Sequence, residues 1–468
     1  SGIFYTLQQS VNEGHVYLYQ DVLLKETGDL LGVQIQDMEK YLMDLMMEKK
    51  IVMKQSEQGV RVYTSHYYYM ELNTAKMLHD LNLDFEAADV TLLHRINQIE
   101  KNTELYLDEM QKDAVMEAVR HGLMILTGGP GTGKTTTLKG IIKVFENEGL
   151  EIALAAPTGR AAKRMSELTG KEAKTIHRLL EVEWDENDRP VFQRNLRNPL
   201  DCEALIVDEL SMVDTSLFAS LLSALPFGCR FIMVGDSDQL PAVGAGNVLS
   251  DLIGSGLLPV VELKEVFRQS LDSLIVTNAH RIVNGEQVII DKKDSDFFLM
   301  ERRNAFDTAQ TVAELYSKRL PAAYGYSPLT DIQVICPSKK GEAGTNNLNK
   351  MLQELVNPHE KGKNEITVGF KVFREGDKVM QIKNNYDIIW QKGNEEGSGI
   401  FNGDIGIIEK IDNISSAFSV NFEDRNAVYS FENANEIEHA YACTVHKSQG
   451  NEFKAVVMPV FGVVPNLC

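Results

Sequence analysis

Gly128-Gly129-Pro130-Gly131-Thr132-Gly133-Lys134-Thr135 constrains this 468-residue chain more than any other stretch. It reads G-x-x-x-x-G-K-T and follows an apolar run of strand length, Leu123-Met124-Ile125-Leu126-Thr127. Thr136 to Phe145 then reads as a helix. Strand, glycine loop and helix in that order are what a phosphate-binding loop needs. Glycines let backbone N–H groups close around phosphate oxygens, and the helix N-terminus adds partial positive charge. Gly128, Gly131, Thr132, Gly133 and Thr136 are the expected cradle. Lys134 is expected to reach the β- and γ-phosphates, and the Thr135 hydroxyl to ligate Mg²⁺. The stretch therefore predicts a site for a nucleoside triphosphate such as ATP.

Around this loop, short apolar strands alternate with helices from Asp108 to about Leu263. The strands are expected at 123–127, 152–156, 204–207, 230–234 and 260–263, which gives a doubly wound α/β domain with a parallel sheet. Three strand ends carry chemistry. Leu205-Ile206-Val207-Asp208-Glu209 ends in two acids. Asp208 would complete a Mg²⁺ shell with Thr135, and Glu209 would polarise the attacking water. Val234-Gly235-Asp236-Ser237-Asp238-Gln239 would place the Gln239 amide near the γ-phosphate. Ala155-Ala156-Pro157-Thr158-Gly159-Arg160 opens a helix after a strand. There Pro157, Thr158 and Arg160 suit a nucleic-acid phosphate, as does His177 in Thr175-Ile176-His177-Arg178.

Other segments are built differently. Residues 1–95 read as helices followed by a hairpin, a winged-helix-like accessory unit. Ile35, Met38, Leu42, Leu45 and Met46 share one face of a helical repeat from Leu30 to Lys50. Ile51-Val52-Met53 and Val60-Arg61-Val62-Tyr63 flank the turn. Tyr67-Tyr68-Tyr69 reads either as a stacking platform or as core. Residues 181–200 read as a β-hairpin inserted in the first α/β domain, which spans 96–264. A second α/β domain, 265–468, contains the strand Ile332-Gln333-Val334-Ile335 and an all-β insertion at about 366–437, a small barrel.

Composition sets outer bounds. Apolar residues make up 43% and charged residues 24%, an ordinary globular balance. The net charge of −20 argues against coating DNA with the whole surface. It leaves room for a local basic channel. No apolar run approaches the ~18 residues of a membrane span. The five cysteines are odd in number, far apart and without a C-x-x-C, so a reducing cytoplasm is expected. The chain begins Ser1-Gly2-Ile3-Phe4, without Met and without a basic-then-apolar leader. That predicts a piece of a longer protein.

Seven stretches in order resemble superfamily 1 DNA helicases, and most closely the RecD-like group, the exodeoxyribonuclease V alpha-subunit family. They are G-G-P-G-T-G-K-T at 128–135, A-P-T-G-R-A-A at 156–162, T-I-H-R-L-L at 175–180 and V-D-E at 207–209. G-D-x-D-Q-L-P at 235–241, V-F-R-Q at 266–269 and T-V-H-K-S-Q-G at 444–450 complete the set. The resemblance spans about 108–460. It implies two RecA-like domains with MgATP in the cleft between them and single-stranded DNA across the top. It further implies that Gln111 recognises adenine, that Arg268 is an arginine finger, and that Thr444 and His446 contact DNA. The hairpin at 181–200 would be the pin that splits a duplex. The barrel would be the Src-homology-three-like insertion that closes over DNA. Movement would be 5′ to 3′, at single/double-strand junctions, in a nucleoid-associated bacterial setting. Repair-complex subunits are possible partners.

One departure stands out. The family's last motif, of Y-T-A-V-T-R-A-K type, belongs downstream of Pro459, and the chain ends at Cys468 without it. That motif supplies a second arginine to the transferring phosphoryl group, so binding of nucleotide is expected to outlast its hydrolysis here. Two alternatives remain open: an RNA helicase of the same superfamily, and a nucleotide-gated binding module without turnover.

Overall fold

A computed structural model describes residues 2–34, 38–184, 190–266, 272–290, 295–393 and 395–460. The chain divides into two units, Ser1–Pro157 with Ala161–Phe298, and Thr158–Arg160 with Leu299–Cys468.

The first unit opens with α1 (Gly2–Asn12), β1 (Tyr17–Tyr19), α2 (Gln20–Leu31), α3 (Glu39–Met47), β2 (Ile51–Ser56) and β3 (Gly59–Thr64). The strands form an antiparallel sheet of order β1-β3-β2. The hairpin pairs Ile51 with Thr64 through Ser56 with Gly59, on either side of the expected turn. The helical repeat expected across Leu30–Lys50 is corrected here. Gly32 adopts a left-handed conformation (φ 66°) and ends α2, as C-terminal glycines do. A new helix starts at Glu39. Met38, Leu42 and Leu45 are buried, but Met46 is exposed. Ile35 lies outside the described residues. Tyr67 and Tyr68 are half-buried on the first turn of α4 (Ser65–Leu81), and Tyr69 is exposed.

The chain continues through α5 (Asp89–Asn102), α6 (Glu109–Arg120), β4 (Leu123–Gly128), α7 (Lys134–Asn147), β5 (Ile152–Ala156) and α8 (Gly159–Thr169). Then come β6 (Ala173–Thr175), α9 (Ile176–Leu179), β7 (Val182–Trp184), β8 (Pro190–Phe192), β9 (Ala204–Val207) and α10 (Thr215–Ser223). The unit closes with β10 (Arg230–Gly235), α11 (Val248–Ser255), β11 (Val260–Leu263) and α12 (Leu274–Val283). Six strands form one sheet of order β11-β4-β10-β9-β5-β6, and their pairings are parallel. Successive side chains of a strand point to opposite faces. Leu123, Ile125, Leu205, Val207, Phe231 and Met233 accordingly join α4, α9 and α10 in one core. Met124, Leu126, Ala204, Ile206, Ile232 and Val234 join α5, α6 and α7 in the other. Burial on both faces explains why these strands read as unbroken apolar runs. β7 and β8 pair as the expected hairpin, Val182 with Phe192 to Trp184 with Pro190. Cys202 and Cys229, 27 residues apart in sequence, have sulfurs 4.0 Å apart, a proximity the spacing does not reveal.

The second unit contains α13 (Ala305–Glu314), α14 (Leu320–Tyr324), β12 (Ile332–Cys336), α15 (Thr345–Val356), β13 (Glu365–Val368), β14 (Lys371–Arg374) and β15 (Lys378–Gln381). β16 (Asn385–Lys392), β17 (Glu395–Ile400), β18 (Ile405–Asp412), β19 (Ala417–Phe422), β20 (Arg425–Ser430) and β21 (Ile437–His439) follow, then β22 (Ala442–Thr444), α16 (Val445–Ser448) and β23 (Ala455–Val457). A parallel sheet of order β22-β12-β23 packs with α13 and α15. Inserted between β12 and β22 is an antiparallel sheet of order β17-β16-β20-β19-β18-β15-β21, with its own core around Phe373, Ile408, Phe418, Phe422 and Tyr429. The sequence marks strands in this insertion at 370–373, 377–382, 404–408 and 418–422; the structure adds β13, β16, β17, β20 and β21.

Among the described residues, no helix is long and apolar enough to cross a membrane. No group of three or more His, Cys, Asp or Glu among them could by itself hold a metal ion.

Candidate active site

A parallel sheet sends the C-terminal ends of its strands to one edge, where such folds bind ligands. β4, β10 and β9 are consecutive neighbours here, with Thr127 opposite Gly235 and Met233 opposite Val207. The phosphate-binding loop after β4 and the Asp208-Glu209 pair after β9 therefore stand on the same edge. They are separated by one strand, roughly 10 Å across the sheet.

The loop turns through left-handed glycines, Gly131 at φ 74° and Gly133 at φ 87°, a conformation costly for residues with a Cβ. Gly133 caps α7, whose N-terminus faces the loop. The Thr132 hydroxyl donates to the Gly129 carbonyl at 2.8 Å. The Lys134 ammonium donates to the carbonyls of Gly128 and Gly129, the latter at 3.0 Å. Lys134, Thr135 and Thr136 are half-buried.

Gln111 is fully buried. Its carboxamide oxygen accepts from the Asp108 N–H at 2.9 Å, while Asp108 accepts from the Gln111 N–H at 2.8 Å. This reciprocal capping box fixes the start of α6. The Gln111 amide also donates to the Gly133 carbonyl at 3.3 Å. In this conformation Gln111 ties α6 to the phosphate loop.

Asp208 and Glu209 are half-buried. Glu209 has φ 55°, an uncommon value for a residue with a side chain, and its N–H donates to Asp208 at 2.8 Å. Burial pushes the Asp208 carboxyl above its usual range, against the pull of the Glu209 N–H, Lys134 and Arg164. Burial and then the neighbouring Asp208 push Glu209 up to about 7, again opposed by Lys134 and Arg164. A general base works best when its pKa lies near the operating pH. The carboxylate of Asp208 and the hydroxyl of Thr135 are hard oxygen donors of the kind Mg²⁺ selects. A divalent cation would offset the charge that burial penalises, so the donor set fits that ion.

The other expected site residues are dispersed. Asp236 is buried and its carboxylate accepts from the Asp238 N–H at 3.0 Å, while Gln239 is exposed. Arg268 lies outside the described residues. His177 is half-buried beside Phe192, with ring centroids 5.9 Å apart. Burial lowers its pKa, against the opposing charge of Asp214. Pro157 is half-buried at the end of β5. Thr158 and Arg160 group with the second unit, where the Arg160 guanidinium meets Glu423 at 3.0 Å and donates to Asn451. Thr444 ends β22, and His446 is exposed on α16.

Two contributors escaped the sequence reading. Arg164 acts on both acids. Its signal was its place one helical turn after Arg160, on the same face of α8. His280 touches the phosphate loop from 150 residues away, and no local pattern announces it.

Residues 111–245 match the model of an AAA domain, and residues 348–422 that of the ATP-dependent RecD-like DNA helicase SH3 domain. Over 352 residues the chain is 37% identical to an ATP-dependent RecD2 DNA helicase of Deinococcus radiodurans. That alignment covers 75% of this chain and 45% of the relative. It is 28% identical over 382 residues to the RecBCD enzyme subunit RecD of Mycolicibacterium smegmatis, covering 75% and 65%. The chain thus spans about half to two thirds of the length of these relatives. The Pif1 helicase of Candida albicans aligns with a TM-score of 0.41 at 19% identity, over 75% of this chain and 89% of that one.

Proposed function

Because the chain belongs to the RecD-like family of superfamily 1 helicases, we propose that it forms the motor part of an ATP-dependent DNA helicase moving 5′ to 3′ on single strands. The observation that carries this reading is a RecD-like SH3 domain in the same chain as a phosphate loop and a half-buried acid pair on one sheet edge. The loop and acids alone would fit any ATPase of this class.

In this reading Gly128 to Thr136 hold the triphosphate, and Lys134 leaves the Gly128 and Gly129 carbonyls for phosphate oxygens. Thr135 and Asp208 would hold Mg²⁺, which when bound neutralises developing phosphate charge. Glu209 takes the proton of the attacking water, Gln239 senses the γ-phosphate, and Arg268 serves as arginine finger. Pro157, Thr158, Arg160, His177, Thr444 and His446 contact DNA. The β7–β8 hairpin acts as a pin at the junction. The order β11-β4-β10-β9-β5 supports a RecA-like first motor domain, and the β1-β3-β2 sheet with α1 to α3 supports a winged-helix-like accessory unit. The mycobacterial relative is a subunit of the RecBCD enzyme, which supports partner subunits as the context of this chain.

The test uses the full-length protein that contains this chain. Duplexes with 5′ tails should be unwound and those with 3′ tails left intact, with Lys134→Ala inactive on both. Preference for 3′ tails, or equal stimulation by RNA and DNA tails, would overturn the assignment. Deleting residues 182–192 should abolish unwinding while translocation along single strands persists; parallel loss of both would show that the hairpin is no pin.

A further inference from the structure

The imidazole of His280 lies against the phosphate loop. Its Nε2 donates to the Pro130 carbonyl at 3.1 Å. A Cβ built on Gly129 would come within 2.5 Å of the ring, so the ring sits flush on Gly129. The helix that carries it, α12, is held from several sides. Ser273 caps its N-terminus, accepting from the Val276 N–H at 3.3 Å. Asp296 accepts from the N–H groups of Leu274 and Ile275 at 2.7 and 3.2 Å. Asn278, fully buried, exchanges two hydrogen bonds with the Ile289 backbone, at 2.9 and 2.7 Å. His280 is therefore delivered to the loop by a braced helix.

The peptide bond explains what this contact does. The carbonyl of Pro130 and the N–H of Gly131 belong to one planar trans peptide, so they point in opposite directions. Drawing the carbonyl out toward α12 turns the Gly131 N–H the other way. A phosphate cradle needs its N–H groups inward and its carbonyls outward. We propose that His280 is a positioning residue of the nucleotide site, anchoring the Pro130 carbonyl so that the Gly131 N–H is aimed at a phosphate oxygen. This rests on the reading of residues 128–136 as a triphosphate site. Thr132 holds the neighbouring Gly129 carbonyl from within the loop, but the Gly129–Pro130 peptide has no N–H to aim, so the aiming falls to the next peptide, which His280 holds.

Equilibrium binding of a fluorescent ATP analogue to the whole chain tests the assignment. His280→Ala should weaken binding about 3–10-fold, the worth of one hydrogen bond. His280→Gln, which keeps an N–H donor at similar reach, should bind within about 2-fold of the parent on the same hydrogen-bond reasoning. Gly129→Ala should be damaging in the parent and much less so beside His280→Ala, which removes the clashing ring. Equal losses in the Ala and Gln variants would overturn the hydrogen-bond role, as would independent, additive effects of Gly129→Ala and His280→Ala. Lys134→Ala separates the two levels. If it binds like the parent, the nucleotide-site reading fails and takes this proposal with it. If it loses binding while His280→Ala does not, only the role of His280 falls.

Discussion

Glu209→Gln is expected to lower DNA-stimulated ATP turnover in the full-length protein by about 10²–10⁴-fold, the usual worth of a general base, while nucleotide binding is kept. The amide preserves shape but cannot take a proton. With the carboxyl pushed up to about 7 by burial and by Asp208, the parent's kcat/KM should climb as pH rises through about 7. That limb should vanish in the variant. Stability should move the opposite way. Raising a carboxyl from 4.5 to about 7 on folding means the native state holds a proton the unfolded chain releases. Stability is therefore lost between pH 4.5 and 7 and stays lost above. Glu209→Gln removes the cost, so it should be more stable than the parent above pH 7, by up to roughly 3 kcal/mol, and equal to it below pH 4.5. Urea unfolding at pH 4.5 and 8 measures this. Turnover within a few-fold of the parent would remove Glu209 from the mechanism.

Asp377→Ala should be the most destabilising single change in the second unit, by roughly 3–5 kcal/mol. The carboxylate is fully buried. One oxygen accepts from Asn357 at 2.7 Å and from the Tyr441 hydroxyl at 2.8 Å. The other accepts from Gln353 and the Arg374 N–H, each at 2.7 Å, and from His439 at 3.2 Å. Truncation leaves these donors buried without an acceptor. Asp377→Asn should be damaging too, because its NH₂ must face donors on one side. Burial pushes the Asp377 carboxyl up, but His439, the Arg374 N–H and Asn357 more than offset it, and the net shift is downward from 3.8. Its contribution is thus full above that value and lost as pH falls below it. A urea-unfolding loss under about 1 kcal/mol for Asp377→Ala would show that the surrounding donors find other partners. Tyr441 directly precedes β22, the strand ending at Thr444, so the same network fixes where that proposed DNA contact begins.

What could be read in the sequence was what is local. Strand, loop and helix around Lys134 are contiguous, and doubly buried strands announce themselves as apolar runs. The repeat from Leu30 to Lys50 misled because its periodicity survives the break at Gly32, placing exposed Met46 with the core. β16 and β17 escaped because Asn385 to Ile400 mixes charged, polar and glycine residues without clean alternation. One face is partly covered by Trp390 packing against Gly397 rather than by an aliphatic stripe. Gln111 was assigned from its motif alone; the capping box that occupies its side chain needed Asp108, also in view three residues earlier. His280 and Arg164 belong to the site only through the fold.

The insertion of the antiparallel sheet between β12 and β22 also sets a timetable. Ile332–Cys336 is wholly buried between two strands that begin at Ala442 and Ala455. On the ribosome it emerges on the order of 100 residues before its first partner, a wait of about 5–20 s at usual synthesis rates. Within that interval the strands up to β20 can pair, beginning with the sequential antiparallel pairs β13–β14, β16–β17, β18–β19 and β19–β20. β21 then emerges directly ahead of β22 and pairs with β15, Val379 opposite His439 and the Ala440 N–H donating to the Lys378 carbonyl at 2.8 Å. The long loop that β22 would otherwise have to cross is then already shortened when the strand arrives.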